Sequence, residues 1–323
     1  LNFEEPVFNA FLEHSVHLGG TDIHLCPGAI PYVRVNGVLQ ALDVNTFTVA
    51  QIEGFISELL DSRQAEELRQ SRAISFTFAV SNIGRFRSSI YSQRGSFAIT
   101  IRSLPHEIPT AESLGLPPQV SGVMEKSRGL VLVVGIGAAK SATLACLLDM
   151  VNQERSTHIS TVENPIEYLH RHGKSLVTQK EIGGDTADFH TGLKWSMRED
   201  SDIIMLSEMS QEPEIILQIL TAAEEKLVLV GLNAIGTTKA IEYIIDAFSS
   251  PTQKEAVTEK QTQVRSRLAG VLECIIHQPP RRRECDAGRN PCEMLILSGE
   301  TKNFIAEGKF HSLKSKLERR ERT

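Results

Sequence analysis

The chain has 323 residues, 41% of them hydrophobic and 23% charged, with a formal net charge of −6. That length passes the point at which a single core stops growing, so two domains are expected, and the composition excludes a disordered chain. The negative balance argues against a nucleic-acid-binding surface, despite basic clusters at Arg281–Arg283 and from Lys314 to Arg322.

The first residues carry no basic segment ahead of an apolar one, so no signal peptide is expected. Val7 to Leu18 reads as a helix, with Phe8, Phe11 and Leu12 at helical spacing before Gly19-Gly20. Short strands are predicted at Ile23–Leu25, Tyr32–Val35, Ser75–Val80, Gly84–Tyr91 and Ser96–Arg102, with one amphipathic helix over Gln51–Arg69. Residues 1–106 are therefore a small α+β domain. Pro109, Gly115 and Pro117 punctuate residues 107–118, which reads as a linker.

Beyond it the pattern becomes strand, helix, strand, helix, with apolar runs at Leu130–Val134, Ile159–Val162, Ile203–Leu206 and Leu227–Leu232. Such alternation implies an α/β fold, a parallel sheet covered by helices on both faces over residues 119–323. Ligands bind such sheets at the carboxyl ends of the strands, which singles out Gly135, Glu163, Glu208 and Asn233. The first strand runs into Gly135-Ile136-Gly137-Ala138-Ala139-Lys140-Ser141-Ala142, with a helix predicted from Ala142 to Asn152. This has the outline of a phosphate-binding loop, in which backbone N–H groups and a lysine hold phosphate and a hydroxyl meets Mg²⁺. Lys140 and Ser141 supply the last two. The loop is nevertheless one residue short of G-x-x-x-x-G-K-[ST], and Ala139 stands where the second glycine belongs. On the loop alone, a plain glycine-rich turn remains an alternative; so do a turn cap for Glu163 and a solvated strand-end charge for Glu208.

Longer segments narrow the choice. Ser160-Thr161-Val162-Glu163-Asn164-Pro165-Ile166-Glu167-Tyr168 and Arg198-Glu199-Asp200-Ser201-Asp202-Ile203-Ile204-Met205-Leu206-Ser207-Glu208-Met209 closely resemble the Asp box and Walker B segments of the type IV pilus retraction ATPases (PilT/PilU-like), a branch of the secretion ATPases. Leu227–Lys239 resembles their His box, Ser88–Leu104 the last strands of their N-terminal domain, and Glu293–Leu297 with Thr301–Lys309 their closing segment.

The resemblance implies a RecA-like ATPase core behind a PAS-like domain. The implied assembly is a hexameric ring, or a mixed ring with an intact paralogue, in the cytoplasm peripheral to the inner membrane. It would work on a pilus platform protein, binding ATP and Mg²⁺ without inserting into the membrane. Carried over by position, Gly135, Gly137, Ala138, Ala139, Lys140, Ser141 and Ala142 hold phosphate, Ser141 and Glu208 serve Mg²⁺, and Glu163 and Glu208 are the catalytic carboxylates. Arg87, Arg94, Arg102 and Asn233 are candidate nucleotide contacts.

Most of the departures weaken nucleotide handling: Asn164 replaces the aspartate of the Asp box, Asn233 replaces a His-box histidine, and Ser210 occupies an arginine position. Ala306 takes an arginine position in a segment that the resemblance links to retraction, and the chain ends short of the family's final helices, so retraction by this chain alone is not expected. Impaired catalysis is the expectation, and the rival reading is a non-hydrolysing subunit acting as an interaction or regulatory protein. A DNA-acting enzyme of this fold would need a basic groove with stacking aromatics, which a single Trp and the net charge of −6 disfavour.

Five cysteines without a C-x-x-C pair suit a reducing compartment, in which Cys285 and Cys292 are expected unpaired. The histidines at 14, 17 and 24, and at 170 and 172, match no tetrahedral metal set. The longest apolar stretch, Leu130 to Ala139, is about half the ~20 residues of a membrane span.

Overall fold

The computed structural model describes residues 8–105, 107–249, 254–279 and 292–310, with the side chains of 254–258 left aside. The basic clusters at Arg281–Arg283 and from Lys314 to Arg322, and Cys285, lie outside the described residues. The chain divides into two compact units, Leu1–His106 and Glu107–Thr323.

In the first unit α1 (Phe8–His17) leads into β1 (Gly20–Leu25), β2 (Tyr32–Val35) and β3 (Val38–Ala41). Helices α2 (Val49–Leu59) and α3 (Ser62–Ser71) follow, then β4 (Ala73–Val80), β5 (Gly84–Gln93) and β6 (Ser96–Leu104). The strands form one antiparallel sheet in the order β3-β2-β1-β6-β5-β4. Phe8, Phe11, Phe47 and Phe55 fill the space between helices and sheet, with edge-on ring contacts of Phe47 to Phe11 at 5.9 Å and to Phe55 at 5.3 Å. The tight β5–β6 turn uses Arg94 and Gly95, both at positive φ, as a two-residue hairpin requires.

The single helix expected over Gln51–Arg69 is two. Asp61 breaks it by accepting the Gln64 N–H at 2.7 Å while the Gln64 side chain returns to the Asp61 N–H, a capping box that starts a new helix. Strand β3 escaped the sequence reading because all four of its residues are exposed, so it carries no alternation of buried and exposed side chains.

The second unit begins earlier than the linker expectation. Within residues 107–118, Leu116 is buried against the core and Leu114 accepts a hydrogen bond from Gln278 Nε2 at 3.1 Å. Then come α4 (Val120–Met124), β7 (Gly129–Gly135), α5 (Ala138–Glu154), β8 (His158–Glu163) and β9 (Leu176–Glu181). They are followed by α6 (Phe189–Arg198), β10 (Ile203–Leu206), α7 (Pro213–Glu225), β11 (Leu227–Leu232) and α8 (Thr237–Asp246). The unit closes with α9 (Lys254–Val271), β12 (Leu272–Gln278), β13 (Glu293–Ile296) and α10 (Gly299–Ala306).

Its sheet runs β13-β12-β7-β11-β10-β8-β9, parallel throughout except for β13, which pairs antiparallel at one edge. Every residue of β7, β10 and β11 is buried, as a sheet covered on both faces demands. Alternate residues of β7 enter opposite cores: Leu130, Leu132 and Val134 meet residues of α7, α8 and α9, whereas Val131 and Val133 meet those of α4 and α5. Helix α9 gives way to strand β12 at Leu272. The run Cys274-Ile275-Ile276 explains the switch, since β-branched side chains suit a pleated surface better than a helix. Among the described residues no helix is long and apolar enough to cross a membrane.

Candidate nucleotide site

Strands β7, β11, β10 and β8 are adjacent and parallel, so their carboxyl ends share one edge of the sheet. Gly135 ends β7, Asn233 follows β11, Glu208 lies two residues past β10, and Glu163 ends β8. Residues from 25 (Glu208 to Asn233) to 98 (Gly135 to Asn233) positions apart are thereby brought together by strand register alone.

On the β7 side the connection to α5 is shorter than expected. The helix starts at Ala138, four residues before the predicted Ala142, leaving only Ile136 and Gly137 between strand and helix. Alanine is the best helix former, so in a loop lacking one residue Ala138 and Ala139 join the helix instead of curling round an anion. The left-handed turn falls on Gly137 (φ 68°), where no Cβ opposes it, so Ala139 escapes the strain a left-handed alanine would carry. Gly135 must also lack a side chain: a Cβ there would meet the Gln278 carbonyl oxygen at 2.9 Å. Gly137 gives α5 no side-chain cap. The leading turn of a helix otherwise carries unpaired N–H donors and positive potential.

Lys140 lies in that first turn with only 6% of its surface exposed. Its stem passes over Gly231, where a Cβ would meet Lys140 Cδ at 3.1 Å, and its ammonium donates to Asn233 Oδ1 at 2.8 Å. The amide of Asn233 donates in turn to Glu208 Oε1. Burial pushes the Lys140 pKa down, while the carboxylates of Glu208 and Glu167 pull it back up.

On the β8 side Glu163 is 6% exposed and accepts from Thr161 Oγ1 at 2.7 Å and Gln179 Nε2 at 3.0 Å. Gln179 also donates to the Tyr168 carbonyl at 2.9 Å and accepts the His170 N–H at 2.8 Å, tying the turn after β8 back to β9. Asn164 N–H donates to Ser207 Oγ at 3.0 Å, and Ile166 N–H to Glu181 Oε2 at 3.0 Å. A cavity of about 10 Å³, near the minimum for one water, lies between Ser141, Glu163, Tyr168, His170 and Ser207.

The predicted residues Gly135, Gly137, Ala138, Ala139, Lys140, Ser141 and Ala142 thus fall on β7, the short connection and the start of α5. Ala142 is buried and packs with Ala145 and Tyr168. The arginines belong to the first unit: Arg87 donates to Ser75 Oγ at 3.2 Å, Arg94 sits in the β5–β6 turn, and Arg102 pairs with Asp22 at 2.7 Å. Sequence reasoning missed Thr161, Gln179, Glu181, Ser207 and Gly231. All of β9 was overlooked, although Leu176–Glu181 lies between Gly173 and Gly183.

A seven-stranded, mostly parallel sheet, with a two-residue glycine connection into α5 and two carboxylates along its carboxyl edge, makes this unit an α/β core of the kind found in secretion ATPases. The chain belongs to the type II/IV secretion system protein family, whose model matches residues 2–307. It is similar to the type IV pilus retraction ATPase PilT of Pseudomonas aeruginosa, 31% identical over 95% of this chain and 87% of that protein. It is 33% identical to the uncharacterized protein YggR of Escherichia coli K12 over 97% of this chain and 91% of the relative. A solved structure of the pilus retraction motor PilT with bound ADP superposes with a TM-score of 0.84 at 35% identity, covering 94% of this chain and 87% of that one. Homologues of this chain are therefore type IV pilus retraction ATPases.

Proposed function

We propose that the chain is a nucleotide-binding subunit of a type IV pilus retraction motor whose hydrolytic step is slow. One observation carries this reading: Lys140 and Ser141 in the first turn of α5 after β7, Glu208 just past β10 and Glu163 at the end of β8 lie along one carboxyl edge of the parallel sheet, the placement that phosphoryl transfer requires. Lys140 and the uncapped start of α5 offer positive charge to phosphate oxygens. Ser141 and Glu208 are hard oxygen donors of the kind that hold Mg²⁺ with one or two protein ligands, and Mg²⁺ bound with the nucleotide supplies charge neutralisation across the phosphates. Glu163, fixed by Thr161 and Gln179, orients the attacking water.

The slow step follows from the two-residue connection. With Ala138 and Ala139 in the helix, the ring of backbone donors is incomplete, and one missing oxyanion-type donor typically costs ~10²–10³ in rate. The same observation favours the second reading, a subunit that binds nucleotide without turning it over and serves a mixed ring with an intact paralogue. In either case the subunit joins a hexameric ring in the cytoplasm, peripheral to the inner membrane, and engages a pilus platform protein.

Titration of the purified chain with a fluorescent ADP, beside Lys140→Ala, tests the shared core of both readings. Loss of the lysine is expected to weaken binding about tenfold or more, the scale of a charge-assisted hydrogen bond. Equal affinities would remove the site from this edge. ATP turnover then separates the two readings.

A further inference from the structure

The link from Lys140 through Asn233 to Glu208 has a direction. Asn233 Oδ1 faces the ammonium at 2.8 Å and its Nδ2 faces the carboxylate. The reversed amide would set donors against the ammonium and an oxygen against the carboxylate, so the two neighbours fix its orientation. Lys140 is at the same time withdrawn, its stem against Gly231 and only 6% of its surface exposed, although a phosphate-binding lysine must present its ammonium to the ligand.

We infer that Asn233 is a latch that holds Lys140 toward Glu208, and that a nucleotide must draw the lysine off the latch before it reaches phosphate. Asn233 is then a positioning residue, acting through Lys140 and Glu208 and not by touching nucleotide. The inference rests on the nucleotide-site reading above. Its cost follows from population arithmetic: affinity falls by the fraction of subunits in which the lysine is free. An amide suits the part because it accepts from a cation and donates to an anion without changing its own charge. Asn233 bonds Lys140 from α5 and Glu208 after β10; the other groups acting on that pair are Glu167 after β8, whose charge also reaches Lys140, and Tyr243 of α8, whose pKa burial and Glu208 raise.

Asn233 is exposed at a strand end, so replacing it leaves the core intact. The test measures ADP affinity and ATP turnover of the full chain carrying Asn233→Ala, Asn233→His or Lys140→Ala. Asn233→Ala is expected to bind ADP about tenfold more tightly, one charge-assisted hydrogen bond released, and to turn ATP over more slowly because Glu208 loses its donor. Weaker or unchanged binding, with Lys140→Ala still abolishing it, overturns the latch and leaves the nucleotide site standing. If Lys140→Ala binds like the native chain, the site and the latch fall together. Asn233→His, measured at about pH 8 where an ordinary imidazole is neutral, accepts from one neighbour and donates to the other as the amide does, and is expected to return affinity and turnover toward the native values. The opposite movement of affinity and turnover in Asn233→Ala is a split that a merely structural residue would not give, since misfolding lowers both; Asn233→His binding as tightly as Asn233→Ala also overturns the proposal.

Discussion

The two halves of one sheet edge are built differently. At the β8 end the carboxylate of Glu163 is buried and held by Thr161 from its own strand and Gln179 from the next, so its place is set by strand pairing. At the β7 end the phosphate side depends on the connection into α5, where two residues remain between strand and helix. A residue cannot leave a paired strand without shifting every side chain after it to the other face. A loop can shorten and the helix behind it takes up the slack. On the proposed reading, the short connection alters the backbone of the loop half, while the sheet half keeps its geometry and differs only in side chains such as Asn164 and Asn233.

The largest effect is expected where the halves meet. At Gly231 a Cβ would lie 2.1 Å from the Ser207 carbonyl oxygen and 3.1 Å from Lys140 Cδ, so Gly231→Ala must push β11 away from the segment after β10. A loss of about 3 kcal/mol is expected, the upper range for overpacking a rigid site, read as a lower denaturation midpoint. An unchanged midpoint would mean that the two halves are not mechanically joined through β11.

Restoring the loop comes next. Inserting one residue after Gly137 together with Ala139→Gly gives Gly-x-x-x-x-Gly-Lys-Ser, and turnover is expected to rise about 10²-fold. A native chain already as fast as this variant would show that the short connection is no lesion. In the restored background Glu163→Gln is expected to lower turnover by about 10²-fold, the ordinary contribution of a positioned acid or base, while stability changes little. If stability collapses instead, Glu163 belongs to the core and not to the chemistry.

The division between halves also explains what the sequence disclosed. The strand ends were legible because continuous apolar runs such as Leu130–Val134 and Leu227–Leu232 announce buried parallel strands, and the residue after such a run is a site candidate by topology. Strand β9 was illegible: only Val177 of its six residues is buried, so periodicity had nothing to register, and with it went Gln179 and Glu181. The start of α5 was misplaced for the opposite reason. Glycine at 135 and 137 marked a loop, but only a count of the residues left between strand and helix reveals that Ala138 and Ala139 are helical. The pairing of Lys140 with Asn233 spans 93 positions and became visible only through the adjacency of β7 and β11.

The smallest effect is expected at Asn164, where the resemblance places an aspartate. Read from sequence, that replacement deletes a negative charge beside Glu163. In the folded chain the two neighbours part: Glu163 turns into the protein, whereas Asn164 is exposed and holds the turn through its backbone N–H on Ser207 Oγ at 3.0 Å. Asn164→Asp keeps that hydrogen bond and adds a charge on the solvent side, where water and salt screen it and where exposed charge interactions are worth at most ~1 kcal/mol. Turnover in the loop-restored background is therefore expected to change by less than about threefold, and still less at high salt. Should Asn164→Asp raise turnover as much as restoring the loop does, the carboxylate half is damaged too, and the contrast between a sheet-held and a loop-held half does not describe this site.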